Sequence, residues 1–143
     1  MYLTYHEYMN YGGTELEEPQ FEEQYYKAAG IVDRYTFGRF RNDTKFPEEL
    51  KRLVFRLIKT NIVSDSLIGM NAIEGTIGGN GTVSSESNDG VSVSYNNMSA
   101  KELYELIGNI KGDGVANYVQ MYLTGVRNQK GQLVLFRGLY EDE

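Results

Sequence analysis

Cysteine and tryptophan are absent from this 143-residue chain, which has two prolines and a single histidine. Without cysteine there is no disulfide framework and no thiolate metal site, and an intracellular protein fits best. His6 alone cannot build a zinc cluster or a Cys/His pair. A Ser/His/Asp site would have to use it as the base, and its place beside Glu7 at the front of a helix reads as surface or partly packed. No apolar run approaches the roughly 20 residues that a membrane span needs. The opening "MYLTYHEYMNYGG" has neither a basic n-region nor a continuous apolar stretch, so it does not read as a signal peptide. The net charge of −6 argues against a dedicated duplex-DNA binder, which needs basic surface to displace counterions from phosphate.

Recognisable chemistry is equally scarce. "GTIGGNGT" is rich in glycine, but it lacks the Gly-Lys-Ser/Thr ending of a phosphate loop and the strand–turn–helix setting of a dinucleotide fingerprint. Asn88-Asp89-Gly90 looks like a fragment of a calcium loop without its alternating acidic ligands or its distal Glu. The glutamates of the N-terminal stretch fall in an exposed first helical turn, where they favour the helix dipole. No catalytic, cofactor or metal site is expected.

What is present is helical periodicity. Thr4 and Glu7 fit a capping box ahead of a short helix over about residues 5–11, which Gly12-Gly13 ends. A second helix is expected at about 19–36, opened by Pro19, with Phe21, Tyr25, Ala28, Ala29, Val32 and Tyr35 on one face and Gly38 as its stop. A third, at about 47–64, carries the stripe Leu50, Leu53, Val54, Leu57, Ile58 and Ile62, with Lys51, Arg52, Arg56 and Lys59 mostly off it. Residues 69–81 read as a flexible glycine-rich segment. Ser99 and Glu102 form a second capping box for a helix at about 100–111; Gly112 breaks it, and Asp113 caps a last helix at about 114–126. The run "QLVLFRG" fits either a strand or an extended tail docked on something. The expected fold is therefore mainly α, a single domain over 1–143. It is a small helical bundle with one inserted β-hairpin at about residues 82–95.

That hairpin, "SSESNDGVSVSY", admits two registers. A two-residue Asp89-Gly90 turn sets Val91 and Val93 opposite Asn88 and Glu86. A three-residue Asn88-Asp89-Gly90 loop pairs Ser87 with Val91, Ser85 with Val93 and Val83 with Tyr95. The second gathers Val83, Val91, Val93 and Tyr95 on one face and is the register that the apolar pattern favours. An isolated two-stranded hairpin is marginal in water. This one must lie on its own helices or reach another chain, and Val83, Ser85, Glu86, Asn88, Asp89, Gly90, Val91, Val93 and Tyr95 are the candidate contact residues.

Charge is unevenly distributed. Glu15, Glu17, Glu18, Glu22 and Glu23 crowd the front, and basic residues dominate the next stretch. Arg34, Arg39, Arg41, Arg52 and Arg56 form a candidate charge-pairing face, against which a neighbouring copy's acidic end would fit; solvated helix faces are the plainer alternative. A small nucleic-acid-binding module using the basic third-helix face is the competing function. Tyr2, Tyr5, Tyr8 and Tyr11 stand three apart and suit a core edge or an interface equally well.

Four segments occur in a telling order: "YLTYHEYMNYGGTELEEPQFE", "VDRYTFGRF", "FPEELKRLVFRLI" and "SSESNDGVSVSY". Together they resemble phage head–tail connector proteins, also called head completion or adaptor proteins, of siphophages and of prophages in low-GC Gram-positive bacteria. The resemblance reaches to about Tyr122. It implies a non-enzymatic virion protein, assembled in the host cytoplasm, whose copies form a ring beneath the portal protein at the head–tail interface. Such a ring extends the DNA channel, lets DNA pass without sequence-specific binding, and presents a platform to a stopper or tail-completion protein. The hairpin would contact the portal or the adjacent subunit.

Overall fold

A computed structural model describes residues 1–77, 86–88, 91–93 and 100–143. The chain is mainly helical: α1 (Tyr5–Asn10), α2 (Glu18–Thr36), α3 (Glu48–Ile77), β1 (Glu86–Asn88), β2 (Val91–Val93), α4 (Ala100–Asn109) and α5 (Val115–Leu123). None of the described helices is long and apolar enough to cross a membrane. The chain divides into two compact units. One comprises Met1–Ile58 with Ala116–Glu143, the other Lys59–Val115.

Local chemistry sets the helix starts of the first unit. The Thr4 side chain accepts from the Glu7 amide at 3.2 Å, and Glu7 Oε2 accepts from the Thr4 amide at 2.9 Å, which completes the capping box. At α2 the Glu17 amide donates to Gln20 Oε1 at 3.1 Å, with Pro19 inside the first turn, where its missing N–H leaves no carbonyl without its donor. The stop of α2 differs from the expectation. Phe37, not Gly38 alone, takes the left-handed conformation at φ 55°, and Gly38 follows at 69°. The Gly38 amide returns to the Asp33 carbonyl at 2.9 Å, the six-to-one bond of a Schellman ending.

The core of this unit is built from the expected stripes. Phe21, Ala28 and Val32 of α2 and Leu50, Leu53, Val54, Leu57 and Ile58 of α3 are fully buried. The N-terminal tyrosines belong to the core edge. Tyr8 is fully buried, with its ring centroid 5.1 Å from Phe21 and 5.7 Å from Phe55. A Cβ on Gly13 would fall 2.3 Å from the Tyr8 ring, so the residue after α1 must be glycine for the ring to lie flat beneath the backbone. Beyond α5, the Val126 carbonyl and Val134 amide bond at 3.1 Å around a tight turn in which Gly131 adopts φ 79°. The "QLVLFRG" run contributes only an isolated bridge, Arg127 to Leu133; it is the docked tail, not a strand.

In the second unit α3 continues to Ile77, through residues 69–77 where a flexible segment was expected. Glycine lowers helix propensity by about 1 kcal/mol without forbidding the conformation, and Met70, Ala72, Ile73 and Glu74 are compatible with it. Likewise, Gly112 does not break the chain into two capped helices. A π-helical turn, Ile110–Gly114, links α4 to α5, and Asp113 lies inside it. Leu67, Ile107 and Val115 are buried here.

Of the expected hairpin at 82–95, the structure describes only two three-residue strands. They pair antiparallel with Glu86 opposite Val93, Ser87 opposite Ser92 and Asn88 opposite Val91. This is the register of the two-residue Asp89-Gly90 link, not of the three-residue loop that the apolar pattern favoured. Val83, Ser85, Asp89, Gly90 and Tyr95 lie outside the described residues, as does the Ser99 cap. The inserted hairpin expected at 82–95 is not supported.

Candidate functional site

The segment "VDRYTFGRF" ends α2 and organises the first unit. Asp33, on the last turn, accepts from the Tyr2 hydroxyl and from Arg41 Nε at 2.9 Å. Thr36 is buried and closes its hydroxyl onto the Val32 carbonyl at 2.8 Å. Phe37 then turns the chain through positive φ, a costly conformation for an aromatic residue, and directs Arg39 inward.

Arg39 holds down the C-terminal segment. Its side chain is only 2 % exposed and pairs with Glu143, Nε to Oε1 at 2.7 Å and Nη2 to Oε2 at 3.0 Å. Nη2 also donates to the Gly138 carbonyl at 2.8 Å, and Nη1 to the carbonyls of Leu133 and Val134 at 3.3 Å and of Phe136. The guanidinium carbon lies 5.0 Å from the Phe37 ring centroid and 4.9 Å from that of Tyr140. A planar fork with five donors suits such a set of carbonyls and a bidentate carboxylate. The hydrogen bonds to Glu143 raise the guanidinium above its ordinary value, and Arg39 in turn holds Glu143 below the usual carboxylate range. Asn128 ties the same segment down: its amide nitrogen donates to the Arg39 carbonyl at 3.0 Å and to Gln132 Oε1 at 2.8 Å.

The candidate arginine face therefore divides. Arg39 is not on a face; it is a buried clamp, and its partners lie about a hundred residues away in sequence, which no local signal could reveal. Arg41 pairs with Asp33. Arg52 pairs with Glu48 at 3.1 Å and lies 5.3 Å over the Tyr11 ring. Arg56 lies 5.0 Å over Tyr118. Arg34 is exposed on α2. The other candidate residues, Glu86, Asn88, Val91 and Val93, are in the paired strands.

A cleft of about 910 Å³ opens beside α1, lined in part by Tyr2, Glu7, Arg41, Lys45 and Lys51. Glu7 is bonded to Lys51 across it. Burial alone would raise Glu7, but Lys51 and the Thr4 amide together hold it below its ordinary value. His6 is exposed on α1 and does not line this cleft. Among the described residues no group of three or more His, Asp or Glu could hold a metal ion.

Tyrosine–carboxylate pairs recur through this unit: Tyr2 with Asp33, Tyr8 with Glu15 at 2.7 Å, and Tyr11 with Glu48 at 2.6 Å. Burial first, then the carboxylate, raises each phenol, and Tyr11 is pushed up to about 12. A folded-state pKa above the unfolded value of about 10 favours the fold below that pH; the contribution is lost as pH rises through the folded value. Alkaline titration should therefore unfold the protein cooperatively above about pH 10, with circular dichroism loss coinciding with a jump in phenolate absorbance. Twelve tyrosines titrating independently with the helix signal intact would contradict these pairs.

Comparisons with protein-family models, with curated proteins and with solved structures find no match to this chain.

Proposed function

We propose that the protein is a head–tail connector: a structural virion protein whose copies form a ring beneath the portal, lengthen the DNA channel and join head to tail. The observation that carries this reading is the ordered set of four segments that resemble the connector family. Two of them, "VDRYTFGRF" and "FPEELKRLVFRLI", supply the α2 ending and the α3 core stripe of the first unit, the kind of residues that a shared architecture requires. The mainly helical fold agrees with that architecture. A net charge of −6 suits a channel wall past which DNA slides without sticking. No reaction, cofactor or metal is part of the proposal. The competing nucleic-acid-binding module loses support, because Arg39, Arg41 and Arg52 are engaged with carboxylates of their own chain.

In this reading residues 82–95 form the inserted hairpin and reach the portal or the adjacent subunit. Deleting 83–95 with a short Gly/Ser bridge should leave the melting temperature nearly unchanged and abolish ring assembly or the production of tail-competent heads. If the deletion unfolds the protein, the segment belongs to the core. If assembly proceeds without it, the segment plays no part in the connector.

A further inference from the structure

In the second unit the buried face of α3 is not wholly apolar. Asn61, Ser64 and Leu67 are buried at intervals of three. Two of the three are polar, and Ser64 is fully buried. Among the described residues neither Asn61 Nδ2 nor Ser64 Oγ has a hydrogen-bond partner. Buried polar side chains are normally bonded, and an exception needs a physical reason.

The local remedies are not taken. At helix ends, Thr36 and Thr124 close their hydroxyls onto the carbonyls of Val32 and Gln120, four residues back. Ser64, in the middle of α3, does not return to Thr60 in this way. Turning the Asn61 amide over exchanges a buried donor for a buried acceptor and leaves the need unmet. Nor does the amide bond the hydroxyl, although the two residues are neighbours on one helix face. Residues three apart on a helix have Cβ atoms about 5–6 Å from each other. Two hydrogen bonds of about 2.9 Å through one small molecule bridge such a span.

We propose that Asn61 and Ser64 hold a buried water between them, a hydration site built into α3. The chemistry selects the occupant. Neither side chain is charged, so nothing would offset an ion's loss of hydration. Leu67, Ile107 and Val115, buried in the same unit, offer only apolar side chains, so a larger polar ligand would bring more groups than these two residues satisfy. Water accepts from the amide and donates to the hydroxyl at once, and a polar site with at least two partners is where internal water is held. A pair satisfied in this way also fixes α3, because a rotation of the helix that parts it from the water leaves both groups dry. The site belongs to the fold and stands apart from the connector reading.

The test is urea unfolding of the full chain as Asn61→Leu, as Ser64→Ala and as the double variant. A shared water and dry groups predict opposite signs. With the water in place, each single substitution strands the other side chain and should lower the folding equilibrium constant about tenfold or more. The double variant should lose less than the product of the two single losses, because it removes both ends of one bridge. A single substitution that raises the constant means that the groups are dry, and losses that multiply independently mean that they share nothing; either overturns the site. A crystal structure of the wild-type chain decides the matter even where a variant fails to fold. It should show an ordered water within about 3 Å of both Asn61 Nδ2 and Ser64 Oγ. A Ser64 hydroxyl turned onto the Thr60 carbonyl with no water beside it would overturn the proposal.

Discussion

Replacing Arg39 by methionine is expected to destabilise the protein by about 3 kcal/mol or more, and to release residues 133–143 before the helices melt. The guanidinium is buried, and every one of its donors that points at the C-terminal segment meets a carbonyl or the Glu143 carboxylate. Methionine fills comparable volume but leaves those acceptors without donors and the carboxylate without its counter-charge. Arg39→Lys should recover little, since one ammonium cannot span carbonyls from Leu133 to Gly138. Urea unfolding gives the loss, and hydrogen exchange at Val134 and Phe136, whose amides bond to Val126 and Leu133, locates it. A variant with wild-type stability and protected tail amides would contradict the clamp.

Leu57→Ala should cost about 2–5 kcal/mol, because it removes a fully buried side chain from the α3 stripe and leaves a cavity behind it. The neighbouring Arg56→Ala, on the exposed side of the same helix, should stay within about 1 kcal/mol. The contrast tests the helix face directly: a shift in urea midpoint for Leu57→Ala with unchanged slope supports it, whereas equal effects at the two positions would place the stripe elsewhere.

Much of the first unit was legible because its determinants are local. The Thr4–Glu7 capping box, Pro19 in the opening turn of α2 and the Leu50–Ile58 stripe of α3 each act within a turn or two of helix, where spacing alone carries the information. The expectations that failed involved weak local signals. Gly112 read as a helix break, yet glycine only lowers helix propensity, and the chain passes through it in a π-helical turn. Phe37 in the left-handed region could not be read, because nothing in an aromatic residue signals positive φ while the adjacent Gly38 does. Arg39 looked like one more surface charge in a basic stretch. Its burial depends on Leu133, Gly138 and Glu143, which only the folded chain brings to it.

The connector proposal is tested most directly by electron microscopy of the purified protein mixed with the portal protein of the same phage. The expected result is a stoichiometric ring of this protein seated on the portal, lengthening its channel. Portal particles that stay bare, with no complex recovered by pull-down, would contradict it.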